Sequence, residues 1–276
     1  SNAPATTYFI GDTMTTDQKP QTANDVAKLI QQAAWLHESS FDWPSLVKDT
    51  EKKLKARRML RKAGFNEPES LPTDHLHRYY NKSLRQAVNE VCKDGKESWA
   101  GLIYTLLAAS FNDAQEWAAA LVGTPPALLD SSEFEAQLDS LNKNMASKTR
   151  YPYLAFVLDA TTRALLLERF LPQHEIVVAH HVTLVAPGKF SEHQPFDPTP
   201  KILVYGTAQT PEVDTVAVQV NGNLIRPDGI FYHVTVSHAA TARAVQAREA
   251  QPNIRLLESS PVLLLTGYVA VLDHYA

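Results

Sequence analysis

The hydrophobic period of this chain changes once, near residue 150, and that change decides what it can fold into. Before it, apolar residues recur at three- and four-residue spacing; after it, they fall in short runs rich in β-branched and aromatic residues. Charge shifts at the same place. Residues 1–150 carry 18 of the 26 basic and 19 of the 30 acidic residues, and residues 151–276 only 8 and 11. The expected fold class is α+β: an N-terminal α-helical bundle over 23–145, then an α+β domain over 151–276. The polar stretch 142–150, followed by Pro152, is the expected linker.

In the first part, Asn24 caps a helix carrying Val26, Leu29, Ile30, Ala33 and Leu36 on one stripe. Pro44 suits the first turn of a second helix and Gly64 its end. Thr73 opens a third, with Leu76, Tyr80, Leu84, Val88 and Val91 on one face, ending near Gly95. The apolar run 99–111 reads as the buried helix of the bundle. Ser132 and Glu135 form a capping box for a last helix through Leu141. Residues 4–22 lack periodicity and read as a flexible arm. Ser1-Asn2-Ala3 reads as an expression remnant, and no Met follows it, so the chain is expected to begin inside a longer one. The expected compartment is cytoplasmic, with a removed signal peptide left open.

In the second part, 153–158, 175–185, 201–209, 215–220, 230–236 and 262–272 read as strands. Helices fit at 161–170 and 239–250. Several function classes find no support. No apolar run approaches the roughly 20 residues of a membrane helix. Cys92 is the single cysteine, which excludes an internal disulfide framework and a cysteine-rich zinc site. With 10 Gly there is no glycine-rich phosphate loop, and there is no Gly-x-Ser-x-Gly elbow. A net charge of −4, with neither half basic, argues against general nucleic-acid binding.

One local pattern occurs twice. Residues 179–185 read Ala-His-His-Val-Thr-Leu-Val and residues 231–237 read Phe-Tyr-His-Val-Thr-Val-Ser. From the composition, chance predicts about 0.06 His-Val-Thr tripeptides in a chain of this length. In a strand, side chains alternate faces, so His181 shares a face with Thr183, and His233 with Thr235. Two such strands side by side set two imidazoles and two hydroxyls around one cleft. Imidazole titrates nearest neutrality, so one ring can accept a proton while the other donates. The hydroxyls add uncharged donors for phosphate oxygens. Displacement at phosphorus needs that equipment.

His181-Val-Thr183 and His233-Val-Thr235 resemble the paired His-x-Thr motifs of the two-histidine phosphoesterase superfamily. The wording is closest to its tRNA-ligase-like and RNA-repair-like cyclic phosphodiesterase branches. The resemblance covers about 151–276. It implies a bilobal α+β fold with pseudo-twofold symmetry, each lobe giving one motif to a central cleft. It further implies that His181 and His233 are the catalytic acid–base pair and that Thr183 and Thr235 bind substrate, with no metal and no cofactor. The implied activity is a phosphoric diester hydrolase that opens a 2',3'-cyclic phosphate, or a related cyclic or 2',5' diester, on an RNA end or small nucleotide. The competing expectation is a catalytically inactive RNA-end or nucleotide-binding module, with the helical part as a protein-interaction surface. A third places function in the helical part, on a C-terminal scaffold.

Other residues carry two readings each. Alternation aims His180 away from the cleft, making it structural or a group that orients His181. His238 is expected past its strand, in a loop or helix cap. A metal site from His180, His181, His233 and Asp273 conflicts with the same alternation. The basic stretch Lys48, Lys52, Lys53, Lys55, Arg57, Arg58, Arg61 and Lys62 reads as a solvated helix face, and alternatively as a phosphate-backbone contact for RNA. Trp35, Trp43, Trp99 and Trp117 read as core anchors. Tyr205, Phe231 and Tyr268 are packing residues or base-stacking platforms.

Overall fold

The computed structural model describes residues 23–42, 74–109, 147–191, 194–239, 241–258 and 263–275, with scattered positions between 45 and 64 and at 143. Helix α1 is Ala23–Ser40, α2 is Asp74–Val91 and α3 is Glu97–Ala109. Each buries one stripe: Leu29, Ile30, Ala33 and His37 from α1, Tyr80, Leu84 and Val88 from α2, Ile103, Leu106 and Leu107 from α3. Asp94 (φ 64°) and Gly95 (φ 91°) turn the chain between α2 and α3, the left-handed exit in which glycine costs least. Ser45, Lys48, Lys52, Lys55, Arg58 and Lys62 lie in helix, and Gly64 (φ 93°) stands past its end. Lys143 and Ser147, in the expected linker, are also helical. The arm 4–22, the helix predicted through Leu141, Trp43 and Trp117 lie outside the described residues.

The second part is strand-rich. Strand β1 is Arg150–Leu158, α4 is Ala160–Arg169, β2 is Ile176–Val177 and β3 is His181–Val185. Then come β4 (Ile202–Gln209), β5 (Val213–Val220), β6 (His233–His238) and a 3-10 helix over Ala244–Asn253. The chain finishes with β7 (Arg255–Leu256), β8 (Leu264–Leu265) and β9 (Gly267–Tyr275). The described strands belong to one sheet in the order β7-β4-β5-β6-β3-β1-β9, with β2 also on β6 and β8 on β4. Every pairing is antiparallel. The chain is thus α+β, N-terminal helices followed by an antiparallel sheet with short helices.

Three local expectations need correction. The strand predicted over 175–185 is broken at 178–180, where Ala179 takes φ 43°. The helix predicted over 239–250 is a 3-10 helix that starts at Ala244. His238 is the last residue of β6, fully buried, and its Nδ1 donates to the Ala239 carbonyl at 2.8 Å.

Alternation along β1 splits the core in two. Tyr153, Ala155 and Val157 join Tyr268, Ala270 and Leu272 of β9 in one cluster with the buried stripes of α1, α2 and α3. Leu154, Phe156 and Leu158 face the other way, packing with Leu166 of α4, Val182, Val216 and Val234. The helices therefore cover one face of the sheet at its β1–β9 edge and share its core. Trp99 packs against this cluster as expected, whereas Trp35 is 64% exposed and anchors nothing.

Gly267 sits where β9 passes closest to β1, opposite Leu158. A Cβ there would fall inside contact distance of the Val157 carbonyl, a backbone atom that cannot step aside. Gly267→Ala should cost about 2 kcal/mol or more, read as a lower urea midpoint at unchanged m.

Candidate functional site

The two His-Val-Thr segments are neighbours. Strands β3 and β6 pair antiparallel with Val182 opposite Val234, and both valines are fully buried in the same cluster. Residues directly opposed in a sheet point to one side. The flanking residues must point to the other, so His181, Thr183, His233 and Thr235 share a face. Antiparallel register crosses the motifs, His233 toward Thr183 and Thr235 toward His181. His181, Thr183 and His233 are half-buried, and Thr235 is buried.

Neighbouring strands supply the walls. On one flank, Val157 pairs with His181 and Ala155 with Thr183, so the histidine face continues into the face covered by the helices. On the other, Ala217 pairs with His233 and Thr215 with Thr235. Ala217, Ala208, Phe231 and Ala250 of the 3-10 helix make a small apolar cluster there. The paired motifs thus lie between two covered flanks, in the middle of the sheet.

Nδ1 of each imidazole has a partner. His233 Nδ1 donates to the Phe231 carbonyl at 2.9 Å, and the Phe231 ring stacks on it at 4.5 Å and 27°. His181 Nδ1 lies 3.0 Å from His180 Nδ1, while the Tyr153 hydroxyl approaches its Nε2 at 3.4 Å. Nδ1 is thereby engaged in both rings, and Nε2 of His181 meets the Tyr153 hydroxyl. Burial pushes His181 down to about 4, with the nearby His233 adding to the effect. Burial also pushes His233 down to about 4, against the opposing bond to Phe231. At neutral pH both rings are uncharged in the free protein.

His180 does not follow strand alternation because it precedes β3, in the bend at Ala179. It is 2% exposed, and its ring meets that of His181 edge to face. Arg163 of α4 donates to the carbonyls of Val178 and Ala179 and so props the bend. His180 is buried, as a structural residue is, and it also contacts His181, as a group that orients it would. Phe231 and Tyr268 are packing residues: Phe231 is fully buried, and Tyr268, 5% exposed, stacks on Phe41 of the segment after α1. Tyr205 packs beside the Ala208–Phe231 cluster.

Asp273 is bound by Arg150 at 2.7 Å, and among the described residues no three His, Cys, Asp or Glu side chains gather as metal ligands. Lys48, Lys52, Lys55, Arg58 and Lys62 are all exposed, as a solvated helix face requires. Lys53, Arg57 and Arg61 lie outside the described residues. Cys92 is buried and its thiol is pushed up to about 11, unsuited to nucleophilic attack. No described helix is long and apolar enough to cross a membrane. A groove of about 520 Å³ opens between α1 and α2, lined by Leu36, Ser40, Tyr79, Lys82, Ser83 and Gln86 among others. It includes none of the His-x-Thr residues.

Tyr153 and Glu38 are the neighbours that sequence reasoning missed. Tyr153 lies two residues before Ala155 on the same alternating face, a signal readable once β1 is paired with β3. Glu38 comes from a helix more than a hundred residues away, and nothing local marks it.

The buried histidines give acid sensitivity. His37, held down to about 4 by burial, joins His181, His233 and His180, which burial also lowers well below the usual imidazole value. An unfolded histidine titrates near 6.5. Between pH 6.5 and 4 the unfolded chain therefore binds more protons, and stability present above 6.5 is lost as pH falls through 4. Burial raises the carboxyls of Glu38 and Asp214, which acts in the opposite sense. With four rings against two carboxyls, the urea midpoint should fall by the equivalent of a few kcal/mol between pH 7 and pH 4.5. An unchanged midpoint would mean that the rings are hydrated.

Comparison of the chain with family models, with curated proteins and with solved structures finds no match, so what the site does is argued from its own residues.

Proposed function

We propose that the chain is a phosphodiesterase that opens a 2',3'-cyclic phosphate, or a related cyclic or 2',5' diester, on an RNA end or small nucleotide. The observation that carries this is the pairing of Val182 with Val234, which puts two imidazoles and two threonines on one face of adjacent antiparallel strands. The sheet order supports a bilobal reading: β3, β1 and β9 on one side of the motif pair, β6, β5 and β4 on the other. That is the arrangement expected of two lobes related by a pseudo-twofold axis between β3 and β6.

In this reading a phosphate sits over the motif pair, its non-bridging oxygens against the Thr183 and Thr235 hydroxyls. Those donors meet the charge that builds on oxygen as phosphorus gains its fifth ligand. One Nε2 takes the proton of the attacking water, and the other protonates the departing ribose oxygen. In the free protein both rings are neutral, which suits the base. The acid arises when the phosphate anion binds, because a negative charge within a few ångströms favours the imidazolium.

The test is turnover, in the presence of EDTA, of 2',3'-cyclic nucleotides, an RNA oligomer with a cyclic phosphate end, a 2',5'-linked oligoadenylate and ADP-ribose 1'',2''-cyclic phosphate. The control is the His181→Ala/His233→Ala double variant. Turnover lost in the variant supports the proposal. Tight binding of these compounds without product would instead make the cleft a recognition module.

A further inference from the structure

The helical part reaches the paired histidines through one side chain. Glu38, in the last turn of α1, places its Oε1 3.8 Å from Nε2 of His180. The side chains are 11% and 2% exposed, so the contact is shielded from solvent. The opposite nitrogen of His180, Nδ1, lies 3.0 Å from Nδ1 of His181. Glu38, His180 and His181 form a line from α1 to the face of the sheet that bears the motifs. A neutral imidazole has one donor and one acceptor, so what happens at one nitrogen of His180 fixes the other.

We infer that Glu38 and His180 are positioning residues that hold His181 as the Nδ1–H tautomer, leaving its Nε2 lone pair as the proton acceptor of the cleft. The inference rests on the phosphodiesterase reading for its role in catalysis, and on geometry with Glu38 ionised for the tautomer. Burial pushes the Glu38 carboxyl up to about 7, and above that pH the carboxylate beside Nε2 of His180 draws the ring proton to that nitrogen. Nδ1 of His180 then has only a lone pair to offer and accepts from Nδ1–H of His181. His181 Nε2 is left unprotonated, facing the Tyr153 hydroxyl. When it takes a proton from water, an O–H bond breaks and an N–H bond forms. The positive charge that develops on His181 is met by the negative charge of Glu38 across the His180 ring, with no proton passed to the carboxylate.

Burial supports the relay. It keeps His180 neutral, with His181, Arg163 and His37 acting in the same direction. The other charged group felt by Glu38 is Arg163 of α4, which opposes the rise that burial imposes on its carboxyl. Tyr80 of α2 and Tyr268 of β9 feel Glu38 in turn. Arg163 also holds the bend carrying His180, so the same guanidinium shapes the backbone and balances the carboxylate.

The experiment is nitrogen NMR of the full chain labelled in histidine, at about pH 8.5 where Glu38 is ionised, comparing wild type, Glu38→Gln and His180→Phe. The His181 signals are assigned by their loss in His181→Ala. The wild type should show a protonated Nδ1 and an unprotonated Nε2 at His181. Glu38→Gln should move that balance toward the other tautomer, and His180→Phe should shift the Nδ1 resonance. A His181 spectrum that is the same in Glu38→Gln and wild type, with the fold retained, overturns the inference, whatever happens to His180→Phe. On a substrate from the panel above, Glu38→Gln should lower kcat by about tenfold with KM little changed. If no substrate turns over, the spectra still decide the tautomer, so failure of the relay and failure of the phosphodiesterase reading are separate results.

Discussion

Alanine at His181 or at His233 should lower kcat by about two to four orders of magnitude, the usual contribution of a positioned acid or base. The two losses should not add. A displacement at phosphorus that needs both proton transfers is already stopped by removing one, so the double variant should fall little below the worse single one. KM should change less than kcat, because the threonine hydroxyls still hold the phosphate. Both rings are half-buried near mid-sheet, with no charge of their own at pH 7. Their removal should leave the urea midpoint within about 1 kcal/mol of wild type or raise it in acid, since a buried neutral histidine is a liability below pH 6.5. Single variants that retain wild-type kcat while the protein stays folded would end the acid–base assignment.

Removing residues 1–149 should abolish the soluble fold of the remainder. Tyr153, Val157, Tyr268 and Leu272 are each at most 5% exposed, and the cluster that buries them includes Leu29, Leu84, Ile103 and other residues of the three helices. Burying each such side chain is worth about 1.5–3 kcal/mol, so the four together match much of an ordinary domain's stability of about 5–15 kcal/mol. Without the helices, an apolar face next to the β9 edge would lie open to solvent and to other sheets. The expected result is aggregation, or a compact state with no cooperative unfolding transition. A soluble, cooperatively folding fragment 150–276 would show that the helices are dispensable. Since Glu38 comes from α1, an inactive but folded fragment would place the helices in function rather than stability.

The elements were legible in proportion to their periodicity. α1, α2 and α3 appear within a few residues of their predicted bounds because one apolar stripe and a capping or terminating signal mark each. Strands β1, β4 and β5 appear because hydrophobic runs between turn residues leave few alternatives. The bend at Ala179 was not legible: it depends on Arg163 donating to the Val178 and Ala179 carbonyls, from a helix that sequence reasoning cannot orient. His238 was misplaced because β6 continues past its apolar run, where buried Ser237 is held by Asp214 rather than by hydrophobic packing. A place within a helical pattern suggests an anchor at Trp35, yet its position on α1 is outside the stripe of Leu29, Ile30 and Ala33, and it is exposed.

Sequence alone determined the chemical inventory: two copies of His-Val-Thr whose alternation puts histidine and threonine on one face and valine on the other. That follows from strand geometry, which is local and needs no partner. Tertiary structure decided that the two copies are adjacent, since the pairing of Val182 with Val234 joins segments 52 residues apart by burying both valines in one core. It also decided that the helices close over the flank of the same face and bring Glu38 to His180. Long-range pairing is set by the burial of whole faces, a sum over many side chains, and no short motif records it.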